Sequence, residues 1–547
     1  MDEKEFSLLQ EPWIMVMKPD SATEEVSLLD LFRRAPEFKE LAGELPTQDV
    51  AVLRLLLAIL HAVFGRYDPD GNHAPISSPG EASSGEALKR WKSLWEKGAF
   101  PMGIIEDYLR HHEDRFWLFH PERPFYQVAL QELVSDSQCI EIKPSEKDIR
   151  YFIGDIAESG NKARLFSGRT QNEGISYSEA ARWLLYTNSF DVAPVGRPAP
   201  GSIKGYGISW LSHLGLVWAK GSNVFETLML NLVIATENGV WNGCDASWEQ
   251  NIICDAENLK DTNPVFPQNP CSLLSMQFRR MQLIRDKERK RVTKLLLWSG
   301  QALDTKNAFL EQMTLWQKRK EDEAYVPKRH IESRQIWRDF SAILSSSPTG
   351  DPRPGVVKWI AWLKDNGILQ IPFIKLNTAG VALDKKNATV MHVFTDGLYL
   401  NLSLFTALGE NWVNRIINEI SVTEKLVNQV GWLAENLARA AGEWDKEGLK
   451  NKKNAAKEQT YFRLDTPFRR WLERINPERD SMEETCNQWR EQARRIVRAL
   501  GKELVAQSGP QAFVGRVVMD KKKKEQRYTA PEAYNQFLIW TSAKKAL

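Results

Sequence analysis

Residues 481–510 read SMEETCNQWREQARRIVRALGKELVAQSGP. Ser481 and Glu484 have the S-x-x-E spacing of a capping box, in which the serine accepts a bond from a free helix N–H. Met482, Cys486, Trp489, Ala493, Ile496, Leu500 and Leu504 then recur every three or four residues. That spacing puts one apolar stripe on one face of a helix, and Gly509-Pro510 ends it. A helix apolar on one face needs partners to cover that face. Working back, Trp412, Ile416, Ile420, Val427, Val430, Leu433 and Leu437 form a second such stripe, and helices also fit Thr466–Ile475 and Pro531–Lys545. Four single-faced helices predict a bundle from about residue 400 to the end at 547.

The preceding part, 1–399, has a different texture. Residues 1–45 read as a strand pair and a short helix, and Thr47 is placed to cap the apolar helix that carries Val50–Phe64. That run holds Arg54 and His61, so it reads as a buried core helix and not a membrane span. Residues 68–88 read as a Gly/Pro/Ser loop. Between about 115 and 400, short β-like runs alternate with helices and loops, and Phe278–Trp298 reads as a hairpin around the polar tip Arg285–Lys290. The fold class is α+β, with a mixed α/β domain over 1–399 and a helical bundle over 400–547.

Composition narrows the function. With 73 basic and 71 acidic residues the net charge is +2, so any nucleic-acid contact must be local. The cysteines (Cys139, Cys244, Cys254, Cys271 and Cys486) form no CxxC pair, which argues against a disulfide framework or zinc knuckle. The opening MDEKEFSLLQ has no basic n-region leading to an apolar stretch, so a cytoplasmic location and no membrane are expected. No P-loop, HExxH or GxSxG is present. The best metal-like cluster is His111-His112-Glu113-Asp114, which leaves open a metal-dependent nuclease or phosphohydrolase. Adjacent residues on one element do not face one another, however. No catalytic residue, metal or cofactor is expected on the main reading.

Three stretches suit nucleic acid. Ser159–Gly174 is polar and basic, with Leu165, Phe166, Ser167, Gly168 and Arg169 at its centre, and leads into a helix that Ser176 and Glu179 can cap. An aromatic such as Phe166 at a loop tip can stack on or wedge against bases. Val192–Phe225 has no acidic residue over 34 positions and holds Gly201, Ser202, Ile203, Lys204 and Gly205. Glycines let backbone approach a groove, and missing carboxylates remove phosphate repulsion. Arg279–Lys294 carries eight basic residues, including Arg279, Arg280, Arg285, Arg289, Lys290 and Arg291. It reads either as a phosphate-contacting hairpin or as a solvated one.

Several strings resemble one family in order along the chain: FSLLQEPWIMV from Phe6, FWLFHPERPFYQV from Phe116, DASWE from Asp245, NPCSLLSMQFRRMQLI from Asn269, IWRDF from Ile336 and YFRLDTPFRRWL from Tyr461. The resemblance is to the CasA large subunit of type I-E CRISPR Cascade. It implies a large mixed α/β N-terminal domain of unusual fold and a C-terminal four-helix bundle. It also implies a non-catalytic subunit that recognises the protospacer-adjacent motif in double-stranded DNA, starts the R-loop and recruits a helicase–nuclease. The implied partners are the other Cascade subunits, the guide RNA and the target duplex. On this resemblance the loop beside the motif falls on Leu165–Arg169 and the glycine loop on Gly201–Gly205, with fewer glycines here. A minor-groove lysine falls near Lys306, and a wedge near Asn377, Thr378 and Ala379, where Thr378 is shorter than the family's glutamine.

Overall fold

The computed structural model describes residues 4–76, 81–128, 145–152, 174–192, 207–237, 239–250, 267–301, 303–320, 323–346, 352–387, 389–519 and 525–542. The chain divides into two units. The first takes Met1–Glu332, Thr349–Gln370 and Ile374–Gly397, and the second Ser333–Pro348, Ile371–Phe373 and Leu398–Leu547. The change of texture near residue 400 thus falls at 397/398, and two short earlier segments go with the helical unit.

The first unit is built around the helix Pro46–Phe64, which is buried on nearly every side. It is the one helix among the described residues long and apolar enough to cross a membrane, and it lies inside the protein. Its start differs from the expected threonine cap. Leu45 occupies the cap position, Pro46 supplies the first turn with its fixed φ, and Thr47 is buried. No side chain caps this helix; instead Gln48 and Asp49 tie the preceding segment to the first turn, their side chains accepting from the N–H groups of Glu44 (3.1 Å) and Gly43 (2.7 Å). Inside this core, Arg54 makes a two-pronged pair with Glu311, both bonds 2.9 Å, and Trp210 donates to the same carboxylate at 2.8 Å. A buried ion pair is tolerable only when its remaining lone pairs are met in this way.

Helices Met102–His111, Tyr177–Phe190, Val224–Asn231 and Pro270–Leu274 pack on it, and the unit also holds several small sheets. Ile14–Met17 pairs antiparallel with Thr23–Val26, followed by the helix Leu28–Arg34, as the first 45 residues predict. Arg279–Asp286 and Arg291–Ser299 form the predicted basic hairpin, and Ser145–Asp148 adds a third strand to it. Phe373–Leu383 lies between Val390–Asn401 and Trp218–Lys220. The stretch 68–88 is only partly loop, because a helix spans Glu81–Lys97 and seats Trp91 with its indole N–H on Met229 O at 2.9 Å.

The second unit is the bundle: Glu410–Ala441, Lys446–Arg474, Met482–Gln507 and Ala530–Trp540, with a hairpin of Arg516–Met519 and Glu525–Tyr528 before the last helix. Ser481 caps the third helix as predicted. The first helix stops at Gly442, whose φ of 103° is the left-handed conformation that favours glycine. Thr466–Ile475 turns out to be the end of a helix that begins at Lys446 and carries Pro467 inside it. The buried seam is polar at one level, where Arg490 grips Glu419 at 2.6 and 2.7 Å and Trp489 donates to Thr423 at 3.0 Å. IWRDF and YFRLDTPFRRWL meet here: Trp337 donates to Asp465 at 2.8 Å and the Arg338 guanidinium lies 3.7 Å over the Tyr461 ring.

Candidate nucleic-acid interface

The 279–299 hairpin organises the first unit's candidate site, but its arginines do not act alike. Arg279 and Arg280 are buried. Arg279 pairs with Asp191 at 2.5 Å, each side chain 5% exposed. Its guanidinium also donates to Phe278 O (2.9 Å), Gly207 O (2.7 Å) and Val192 O (3.4 Å). Ser209 N donates to Asp191 O at 2.9 Å. Arg285 pairs with Glu5 and stacks over Phe119 at 4.2 Å. Arg279 and Arg285 therefore hold the hairpin in place and Arg280 is buried, which corrects the reading of the whole run as a basic surface. The exposed charge sits beyond Asp286, on Arg289, Lys290 and Arg291. Lys290 holds the turn with a positive φ of 50°.

The same contacts tie down the described residues that flank the expected loop segments. Val192 and Gly207 are the two stems of the segment containing Gly201–Gly205, and Arg279 bonds to both. Gly174 and Ile175 form the stem that follows Leu165–Arg169. Ile175 bridges to Val292 of the hairpin, and Arg291 donates to Gly174 O at 2.9 Å. Gly174 has a φ of 79°, and a side chain there would meet Val292 O, so glycine is required at this stem. Beyond it Ser176 and Glu179 make the complete predicted capping box. Leu165, Phe166, Ser167, Gly168, Arg169 and Gly201, Ser202, Ile203, Lys204, Gly205 themselves lie outside the described residues, as does the basic run Lys521–Lys524.

Lys306 is exposed on a turn. Asn307 beside it, at φ 51°, fixes that turn by exchanging bonds with Tyr325: its N–H donates to Tyr325 O (2.7 Å) and its side chain accepts from Tyr325 N (2.8 Å). Asn377, Thr378 and Ala379 do not form a wedge. They lie inside the strand Phe373–Leu383, Asn377 opposite Trp218, with Thr378 and Ala379 buried. A buried strand segment offers no free tip to enter a duplex. The exposed end of this hairpin carries Lys385 and Lys386, and there Asp384 N donates to Thr389 O (3.0 Å).

The metal-like cluster does not converge. Asp114 pairs with Lys4 at 2.5 Å, which holds its carboxyl below the usual range, while burial lowers His112. The His111 and His112 rings meet edge to face. Among the described residues no three His, Cys, Asp or Glu side chains group to hold a metal.

The strings of the family resemblance prove largely architectural. His120 Nδ1 accepts from Glu122 N (3.1 Å) and Arg123 N (2.9 Å), shaping the HPERP turn. Gln127, the glutamine of that string, is buried; it donates to Leu118 O (2.7 Å) and accepts from Leu283 N (2.8 Å) of the basic hairpin. Glu249 of DASWE accepts from Arg66 and from Tyr108, both at 2.5 Å. The Gln after an aromatic pair was the available signal, since a buried amide needs fixed partners.

Among the described residues, the α/β frame presents exposed basic turns and holds the stems of both expected loop segments against one hairpin. The chain belongs to the CRISPR-associated Cse1 family, whose model matches residues 7–500. CRISPR-associated protein CasA/Cse1 of Thermus thermophilus is 34% identical over 238 residues, an alignment spanning 42% of this chain and 40% of that one. The crystal structure of Thermobifida fusca Cse1 matches with a TM-score of 0.77 at 28% identity, covering 99% of this chain and 98% of that one. A chain of a structure described as a CRISPR RNA-guided surveillance complex shares the fold, with a TM-score of 0.64 at 19% identity over 98% of this chain and 99% of that one. The mixed α/β part followed by a helical bundle, predicted from the sequence, is the architecture found.

Proposed function

We propose that this chain is the non-catalytic, DNA-inspecting large subunit of an RNA-guided surveillance complex of the Cascade type. It recognises the protospacer-adjacent motif in double-stranded target DNA, promotes the start of the R-loop and recruits the effector helicase–nuclease. Its partners are the other Cascade subunits, the guide RNA and the target duplex; the fold it shares with a chain of an RNA-guided surveillance complex supports this. The observation that carries the reading is the hairpin frame. One element bonds to the stem after Leu165–Arg169, to both stems around Gly201–Gly205, and exposes Arg289, Lys290 and Arg291 at its tip. The stems of both segments are thus tied to the hairpin whose tip carries that exposed charge, which supports the reading.

The chemistry follows from the groove being read. The minor groove shows mainly A·T against G·C, so a reader using backbone, a lysine and an aromatic tip tolerates related motifs. Few contacts and near-neutral charge make the isolated chain a weak binder. Within the complex, opening the first steps costs about 1–2 kcal/mol each, which guide pairing then offsets. The test is a gel shift of the assembled complex on duplexes with and without the adjacent motif. Wild type should prefer the former, and Phe166→Ala should lose that preference. Equal binding of both duplexes by wild type, or no change on Phe166→Ala, sinks the assignment.

A further inference from the structure

The second unit carries a groove that the proposed function does not use. It has a volume of about 590 Å³ and lies where the second bundle helix, Lys446–Arg474, turns into the third, Met482–Gln507. One wall is basic: Arg470 and Arg474 stand four residues apart on the second helix, and Arg479 closes the end. The opposite wall is uncharged over most of its length, with Thr485, Gln488 and Gln492 on the third helix. Trp471 and Trp489, stacked at 5.6 Å and 30°, form the floor.

Several bundle arginines are paired: Arg463 with Glu503, Arg469 with Asp465, Arg439 with Glu435, and Arg490 with Glu419. Arg470, Arg474 and Arg479 are exposed at the groove, and among the described residues their guanidinium groups have no hydrogen-bonding or ion-pairing partner. Like charges at i and i+4 on a helix repel. The two acids of the groove have local tasks instead. Asp480 accepts from Asn476 N at 2.7 Å within the turn, and Glu484 sits in the first turn of the third helix, where the helix dipole favours a carboxylate.

We infer that this groove binds the phosphodiester backbone of single-stranded nucleic acid, a second contact separate from the one proposed on the first unit. Three guanidinium forks around one mouth suit phosphate, whose oxygens accept from several donors at once. The amide and hydroxyl wall facing them supplies donors and acceptors for base edges. Membership of the Cse1 family and the fold shared with a chain of an RNA-guided complex favour a nucleic-acid strand over an acidic protein segment. The volume lies within the roughly 300–1,000 Å³ of small-ligand sites, which admits a short stretch of strand and not a duplex.

The experiment uses the full chain and a fluorescent oligo(dT) carrying 4-thiothymidine, with binding measured across salt concentrations and photo-crosslinks mapped by peptide. Wild type should crosslink within residues 467–492. In the triple variant Arg470→Gln/Arg474→Gln/Arg479→Gln those crosslinks should vanish. Three lost phosphate contacts should flatten the slope of log K against log salt by about two and weaken binding roughly a hundredfold at 0.1 M salt. The triple Arg→Lys variant should keep most of the slope. Because the side chains bond to nothing in the bundle, the thermal midpoint should not move; if it does, Arg474→Gln alone, read by crosslinking, decides. Crosslinks confined to other peptides, unchanged binding by the Gln variant, or tighter binding of a poly-glutamate peptide than of oligo(dT) at this groove would each overturn the inference. A loss at 467–492 with Phe166→Ala still abolishing motif preference separates this site from the first.

Discussion

Arg279→Met discriminates between a ligand-binding arginine and a framework one. In the structure its guanidinium satisfies Asp191 and the carbonyls of Phe278, Gly207 and Val192. Methionine fills much of the volume but leaves the Asp191 carboxylate buried without its cation. Removing one partner of a buried pair costs about 3–5 kcal/mol, since the charge left behind stays desolvated. The double variant Arg279→Met/Asp191→Leu should recover most of that loss, because an apolar pair needs no compensation. Urea unfolding of the first unit supplies the free energies, and the same proteins, assembled into the complex at a temperature where they remain folded, are tested for target binding. The single variant should unfold early and also bind target less well, because both stems of the Gly201–Gly205 segment lose their tie. An unchanged urea midpoint together with lost DNA binding would refute the reasoning and make Arg279 a direct DNA contact.

Three further outcomes follow from the same structure. Arg289→Gln/Lys290→Gln at the exposed tip should leave the thermal midpoint unchanged, yet flatten the salt dependence of duplex binding by about 1.8, at roughly 0.9 per phosphate contact. Gln127→Ala should destabilise the first unit by about 1–3 kcal/mol in urea, since Leu118 O and Leu283 N are left without their buried partner. Burial lowers the His61 pKa to about 3, so between pH 6.5 and 3 the unfolded chain takes up a proton that the folded one refuses. Stability is then lost as pH falls, and His61→Leu should remove roughly 2 kcal/mol of the loss between pH 7 and 5, measured by urea midpoints.

The bundle was legible because helix stripes are local. Ser481, Trp489 and Leu500 announce their helix within one segment. The first two-thirds of the second bundle helix escaped, since KEGLKNKKNAAKEQ carries few apolar residues and packing, not pattern, holds it. Thr47 looked like a cap, but Pro46 at the first turn moved the boundary, Thr47 is buried and no side chain caps this helix. Arg279 looked like surface charge, because its partner Asp191 is 88 residues away and no local pattern announces that meeting. NTAG within 377–380 read as a loop tip, and only pairing with neighbouring strands makes it strand interior. Those misreadings share one cause: burial is set by tertiary position, which residue type alone does not carry.

The claim that this chain inspects DNA through loops framed by the 279–299 hairpin is tested most directly by photo-crosslinking. A duplex target carrying photoreactive groups at the motif is bound to the assembled complex, and the crosslinked peptides of this chain are identified. The account predicts crosslinks within 159–174 and 193–206, reduced when Phe166 is replaced. Crosslinks to this chain that avoid both segments, or none at all while the complex still binds its target, would contradict it.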